Sequence, residues 1–418
     1  MNNPVPDDWK VAPLGTLVEA RSSNVDKKSV DGELPVKLCN YMDVYSNNVI
    51  TRGLPFMEAT AKAREIEKFV VERGDVIITK DSETPDDIAV PAYVNDDLEG
   101  VVCGYHLTLL KPKPETSGEF LSHLFRLPSI QHYFYILANG ITRFGLTIDA
   151  INGAPLPVPL LPEQQKIAAI LTSVDKAIES TQAQIDKLND LKTGMMQELL
   201  TKGIGHSEFK DSPVGRIPMG WEVVAFGDLG KWRGGGTPSK ANSAFWNGSI
   251  PWVSPKDMKV EQITRTGDYI TSDAVANSST NLIDSGSILI VTRSGILKHT
   301  LPVAIAGREL SINQDMKALS VSSEFCSHYI YHYLQAHNHK VLRACLKAGN
   351  TVESIDFNEF SKFLIPHPPL EEQKKISASV NAVADAMRSR QQKLEDCKNA
   401  KKALMQDLLT GNVRVRVD

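Results

Sequence analysis

Chemistry at a protein site needs nucleophiles, acid–base pairs, metal ligands or phosphate cradles at workable spacing, and these 418 residues supply few of them. There is no G-x-x-x-x-G-K-[ST] loop, no G-x-G-x-x-G after a strand, no H-E-x-x-H and no G-x-S-x-G. Pro368-Pro369 lacks the preceding Asn or Asp and the following aromatic that amino-methyltransferases place around two prolines. "PDDWK" (6–10) superficially resembles a nuclease P-D…D-x-K set, but adjacent Asp7 and Asp8 in a terminal loop cannot share a cation as residues from neighbouring strands do. His206, His299, His328 and His332 have no metal-ligand spacing and read as surface or domain-packing histidines. The five cysteines (39, 103, 326, 345 and 397) form no C-x-x-C pair, so reduced and mostly buried thiols are expected and no structural metal. One stretch suits binding rather than catalysis: the triple glycine of "KWRGGGTPSK", flanked by Lys231, Arg233 and Lys240, is a candidate backbone cradle for an anion.

Composition bounds the rest. With 42% apolar and 23% charged residues the chain reads as globular, and its length predicts two or three domains. No apolar run is long enough to span a bilayer, and "MNNPVPDDWK" has no basic, apolar leader, so a cytoplasmic location without membrane contact is expected. The net charge of −4 is unevenly spread: −7 over 1–156, −1 over 157–204, +1 over 205–365 and +3 over 366–418. A polyanion must therefore be held by local patches or with a partner's help.

The elements that must position any site are set by a repeat. "LPEQQKI" (161–167) returns as "LEEQKKI" (370–376), and a shift of 209 residues aligns Pro157–Thr201 with Pro366–Thr410 without a gap. Each copy opens on prolines, which forbid helix, then places Glu at the positive end of a helix dipole and runs free of proline to Gly203 or Gly411. Apolar residues alternate at four and three: Ile167, Leu171, Val174, Ile178, Ile185, Leu188, Met195 and Leu199, then Ile376, Val380, Val383, Met387, Leu394, Cys397, Leu404 and Leu408. That spacing is a heptad seam, broken at Thr181 and Lys192 and at the matching Arg390 and Lys401. Two long helices pairing as an antiparallel coiled coil are expected, each about 58 Å long.

What precedes each helix also repeats. Trp9 answers Trp221, "GDVIITK" (74–80) answers "GSILIVTR" (286–293), "GEFLSHLF" (118–125) answers "SEFCSHYI" (323–330), and "GITRFGL" (140–146) answers "GNTVESI" (349–355). Short Val/Ile/Thr runs between Gly, Pro, Asn and Asp predict a mixed α/β (α+β) fold, with a helix near 119–138 and its partner near 324–347. The segments are a first globular domain (1–156), a central helix (157–204), a second globular domain (205–365) and a C-terminal helix (366–418). "TKGIGHSEFKDSPVGRIPMGW" reads as an exposed crossing.

The paired "EQ..I" helices, the "LMQDLLTGNVRV" ending, the crossing and "GGGTPSK…FWNGSIPWVSPKDM" closely resemble the specificity subunit of Type I restriction-modification systems, over nearly the full chain. The resemblance implies a non-catalytic DNA-binding subunit with two target-recognition domains. Each would read half of an asymmetric bipartite site in double-stranded DNA, with the helices setting the spacer. It implies docking of two methyltransferase subunits carrying S-adenosylmethionine, and of restriction/translocase subunits using ATP and Mg, with no cofactor on this chain. A Type IIB-like specificity subunit is a close alternative; a self-contained DNA methyltransferase or nuclease is a more distant one.

Base reading needs side chains that pair with base edges. On the family's landmarks the second half offers Arg233, Lys240, Trp252, Ser254, Lys256, Asp257, Arg293, Ser294, Lys298, Gln314, Asp315, Asn350 and Thr351. The first half offers Lys37, Asn40, Tyr41, Asp43, Lys80, Ser82, Tyr105, His106, Thr142 and Arg143. It lacks the glycine-threonine-proline loop, which leaves its phosphate contacts unassigned.

Overall fold

The computed structural model describes residues 5–347 and 352–417. The chain divides into two compact units: residues up to Gln182 together with those from Gln392 onward, and Ala183–Gln391. The division runs through both long helices, so each unit holds one globular domain and half of each helix. Among the described residues no helix is long and apolar enough to cross a membrane.

The first unit is built on strands β1 (Val18–Ser22), β2 (Leu34–Cys39), β3 (Val49–Ile50), β4 (Met57–Ala61), β5 (Val76–Thr79), β6 (Pro91–Val94), β7 (Val101–Cys103) and β8 (Leu107–Pro112). They form a five-stranded sheet in the order β1-β8-β5-β6-β3 and a three-stranded sheet β4-β2-β7. β5 reads VIIT and every residue is buried, because both its faces are covered. Val76 and Ile78 enter the cluster that includes the helices, while Ile77 enters the one shared with the smaller sheet.

The second unit repeats this plan with β9 (Gly230–Gly234), β10 (Trp246–Val253), β11 (Gln262–Ile263), β12 (Asp268–Ile270), β13 (Leu282–Ile283), β14 (Ile288–Val291), β15 (Val303–Ala306), β16 (Leu310–Ile312) and β17 (Met316–Val321). Its large sheet, β9-β17-β14-β15-β11, has the same order; its small sheet gains an edge strand, β12-β10-β16-β13. β14, ILIV, again splits its side chains between two cores.

Helix α1 (Gly118–Leu124) follows β8, and α2 (Leu161–Lys202) is the central long helix. Helix α3 (Ser327–Ala336) follows β17, and α4 (Leu370–Leu408) is the C-terminal one. The single helices expected near 119–138 and 324–347 are each two. Pro128 starts a new helix, Pro128–Leu137, because it cannot donate into the preceding turn, and Asn338–Cys345 follows α3.

The half-helices run antiparallel within each unit. In the first, Ile167 and Leu171 share a core with Leu404 and Leu408, and one step along Asp175 pairs with Lys401 at 2.5 Å. In the second, Met196 and Leu199 share a core with Ile376. All the seam residues expected from the heptad spacing are buried or half-buried. Of the polar breaks, Thr181 is buried and bonds back to the Ala177 carbonyl, Lys192 and Lys401 are half-buried, and Arg390 is exposed.

The repeated Glu-Gln pair has a physical reason. Gln164 Oε1 accepts from Ser117 N (2.8 Å), and its Nε2 donates to the carbonyls of Glu115 (3.2 Å) and Pro159 (2.9 Å). Gln373 does the same with Cys326 N (2.8 Å), Glu324 O (3.2 Å) and Pro368 O (2.8 Å). Each glutamine thus closes backbone groups that the start of α1 or α3 and the proline run leave open. The preceding glutamates diverge. Glu163 takes Arg414, which also holds Asp8, whereas Glu372 takes the Trp221 indole (3.0 Å), His206 (2.8 Å) and Ile204 N (2.9 Å).

These bonds also correct the register of the repeat. Ser117 stands where Cys326 stands, so α1 answers α3 with His123 opposite His332, four residues on from the alignment of 118–125 with 323–330. The two rings behave alike: His123 Nε2 meets Thr172 Oγ1 (3.0 Å) and His332 Nε2 meets Asn381 Oδ1 (2.8 Å), while both Nδ1 atoms are buried without a hydrogen bond. Of the other histidines singled out, His299 is exposed and His328 is half-buried. The crossing after α2 is more ordered than an open linker. Phe209–Ser212 and Gly215–Pro218 form a hairpin around Pro213, with Ile217 in the core of the second unit.

Two outcomes follow. Replacing Gln164 or Gln373 by alanine strands three backbone groups, one buried and two part-buried, and should cost roughly 2–4 kcal/mol by chemical denaturation. Faster amide exchange should appear at Ser117 in the first variant and at Cys326 in the second. Burial pushes His123 down to about 3 and His332 to about 4. Below about pH 6.5 the unfolded chain then binds protons that the native chain refuses, so stability is complete above that pH and falls on acidification. His123→Gln and His332→Gln should each remove about 2 kcal/mol of the loss between pH 7.5 and pH 5, read from denaturation midpoints at the two pH values.

Candidate nucleic-acid interface

At one end of the large sheet in the first unit, the backbone gathers three loops. Lys80, just beyond β5, donates its N–H to the His106 carbonyl (2.8 Å), and its own carbonyl accepts from Leu146 N (2.9 Å). A short ladder, Asp81–Ser82 with Phe144–Gly145, continues the junction. Lys80, Ser82, Tyr105, His106 and Arg143 are thereby brought together. Lys80 Nζ lies 5.0 Å from the Tyr105 ring, a cation–π contact. Tyr41 lies beside Ser82, and burial raises its phenol above its ordinary value.

The centre of this cluster is Asp81. Arg143 Nη2 and His106 Nδ1 each reach its carboxylate at 2.8 Å. His106 holds φ +75°, a left-handed conformation that costs energy for a residue with a Cβ. The loop that carries Arg143 is closed by two hydrogen bonds between Asn139 and Gly145 (3.0 and 2.9 Å) and exposes Ile141 and Thr142.

Sequence reasoning passed over Asp81, Tyr45, Asp87 and Ile141. Tyr45 stacks on Tyr41 with ring centroids 5.6 Å apart and donates to Asp87 (2.6 Å), and Ile141 is 95% exposed. A signal for Asp81 existed in its place two residues beyond a buried strand, the position Arg293 holds in the other half.

The second unit builds the same frame with other side chains. Thr292 N and Arg293 N donate to the Asp315 carbonyl (2.8 and 3.1 Å), Ile355 N donates to Thr292 O (2.8 Å), and Arg293 bridges to Ser354. By these bonds Arg293 answers Asp81 rather than Lys80, and Asp315 answers His106. Arg293 is exposed, Lys298 pairs with Glu353 at 3.3 Å, and Ser294 caps the 3-10 turn Gly295–Lys298. Gln314 accepts from Thr237 and donates to Asp315 (3.1 Å). Asn350 and Thr351 lie outside the described residues.

Several candidates hold the fold instead. Asn40 with Asp43 and Ser254 with Asp257 are matching capping boxes. Asp43 accepts from Asn40 N (2.7 Å), and Asp257 from Ser254 N (2.9 Å). Trp252 is 6% exposed and donates its indole N–H to the Gly236 carbonyl (2.9 Å). A Cβ on Gly235 would meet Asn313 O at 2.0 Å and one on Gly236 would meet Ser279 O at 2.6 Å, so these glycines admit neighbouring backbone rather than open a cradle to an anion. Arg233 donates to Leu282 O (3.1 Å), Lys256 pairs with Asp268 (2.8 Å), and Lys240 is exposed. Lys37 lines a cleft with Arg52, Asp97 and Glu99 instead of joining the Asp81 cluster.

Residues 6–190 and 218–398 match the family described as Type I restriction modification DNA specificity domain. The chain is 38% identical over 222 residues to the EcoR124I/EcoR124II specificity subunit of Escherichia coli, a match spanning about half of each protein (53%). It is 24% identical over 425 residues to the MjaVIII specificity subunit of Methanocaldococcus jannaschii, covering 99% of this chain and 94% of that one. The fold is similar to that of the Type I restriction-modification S subunit from M. genitalium, with a TM-score of 0.59 and 13% identity over 98% of this chain and 97% of that one.

The capping boxes generate a separable outcome. Asn40→Ala and Ser254→Ala should each lower stability by about 1 kcal/mol in denaturation experiments and leave any DNA sequence preference as it was, since both residues open helical turns and the Ser254 hydroxyl is taken up by Asp257 (2.8 Å).

Proposed function

This chain belongs to the Type I restriction modification DNA specificity family, and from that premise we propose that its two units read unlike halves of one split DNA target. A specificity subunit recognises DNA and carries no catalytic centre; what is proposed is how this one divides the task. The observation that supports the reading is the doubled frame. The same strand order and the same backbone hydrogen bonds present Asp81 and His106 in one unit and Arg293 and Asp315 in the other. A conserved scaffold with exchanged charges suits two readers of different sequence, because hydrogen-bond donors and acceptors at base edges discriminate bases while the frame sets the approach.

On this reading the two long helices, of 42 and 39 residues, fix the number of base pairs between the half-sites. Methyltransferase subunits, two of them, dock on the chain and bring S-adenosylmethionine. Restriction/translocase subunits bring ATP and Mg, and the assembly works in the cytoplasm. The mild net charge of −4 agrees with partners that share the hold on the phosphates.

Sequencing of methylated bases in cells expressing this chain with its methyltransferase partner should return a split motif with two unlike halves around a fixed spacer. A contiguous palindrome would contradict the proposal.

A further inference from the structure

Asp81 divides its two oxygens. Oδ1 accepts from Arg143 Nε (3.1 Å) and Nη2 (2.8 Å), and Oδ2 accepts from His106 Nδ1 (2.8 Å). Arg143 Nη2 and His106 Nδ1 stand 3.2 Å apart, two donors that the carboxylate bridges. The Asp81 side chain is 14% exposed while that of Arg143 is 55% exposed, so the carboxylate lies beneath and the guanidinium projects. Engagement through Nε and Nη2 uses the lateral edge of the guanidinium. Its end stays available as a planar donor fork: among the described residues Nη1 has no hydrogen-bond partner, and Nη2 has, besides Asp81, only the His106 ring nitrogen at 3.2 Å.

Two ligand chemistries fit an arginine fork: a phosphate, or the O6/N7 edge of guanine. A phosphate anchor gains from uncompensated positive charge. Here Asp81 cancels that charge, and the following loop adds Glu83, Asp86 and Asp87 in a domain of charge −7. A base edge needs orientation more than net charge, and orientation is what the carboxylate supplies by fixing the guanidinium plane before binding. The left-handed His106 and the doubly bonded Asn139–Gly145 loop hold the two sides of the carboxylate in place.

We propose that Arg143 reads a guanine in the half-site recognised by the first unit, with Asp81 and His106 as positioning residues for its guanidinium. The inference rests on the split-target reading above and sharpens it to one base.

The test uses the full chain expressed with its methyltransferase partner, with methylated motifs sequenced for the wild type and for Arg143→Lys and Asp81→Asn. The wild-type motif should contain a fixed G·C pair in one half. Arg143→Lys keeps the charge but loses the fork, so preference at that pair should drop roughly 5- to 150-fold while the other half-site stays as it was. Asp81→Asn should relax the same pair, and the unchanged second half serves as the control for folding. If Asp81→Asn instead abolishes all modification, Arg143→Lys decides alone. Three results overturn the inference: a split motif in which no position responds to Arg143→Lys, a responding pair that is A·T, or a uniform loss of modification at both halves with Arg143→Lys, the mark of a phosphate contact. A wild type that yields no split motif would fell the underlying reading as well, and so is distinguishable from these.

Discussion

A buried glutamine at the mouth of each long helix is the constraint on which the rest depends. Gln164 and Gln373 each tie together the proline two residues before the long helix, the turn after the last sheet strand and the cap of the short helix that follows it. Three hydrogen bonds to backbone leave little freedom in how a globular domain meets its helix. Whatever is presented at the far end of the sheet is therefore presented from a fixed base. Glutamine suits the task because it offers donor and acceptor without a charge to bury. The neighbouring glutamates are freer, and their partners differ: an arginine from the chain's end in one unit, a tryptophan and a histidine in the other.

On these two equal bases stand unequal surfaces. The backbone path is the same, down to the carbonyl of the residue at His106 or Asp315 accepting from the residue just beyond the central strand. The side chains are exchanged in sign. In the first unit an acid lies between an arginine and a histidine; in the second an exposed arginine stands where that acid was. Recognition can thus change by substitution in three loops without disturbing β5, β8, β14 or β17, whose side chains are committed to the cores.

The long helices were legible because their signals are local and regular: prolines that forbid helix, a heptad that demands a partner and a glycine that ends the run. The doubling of the domains was legible from matched strands such as VIIT and ILIV. Register was harder. "SHL" and "SHY" share a serine and a histidine, yet the bonds of Gln164 and Gln373 pair His123 with His332, because a backbone amide at a helix cap outweighs letter similarity. The same applies to Arg293. "TK" and "TR" look equivalent, but one extra residue before the second site shifts the arginine onto the place of Asp81. The paired capping residues carry a signal in the sequence, since Asn or Ser followed three residues later by Asp suits a helix start, but Ser23 with Asp26 and Asn281 with Asp284 share the spacing and start none. That Trp252 would face inward was not legible, because its partner, the Gly236 carbonyl, arrives from a loop 16 residues away.

The most direct measurement is a chain in which residues 5–156 are duplicated in place of the second globular domain, with both glutamine-led helices retained, followed by sequencing of the bases methylated with its partner. If each domain reads independently from a common base, the modified motif will have two halves of the same sequence. A folded duplicate that still marks two unlike halves, or that keeps the original motif, would contradict the account.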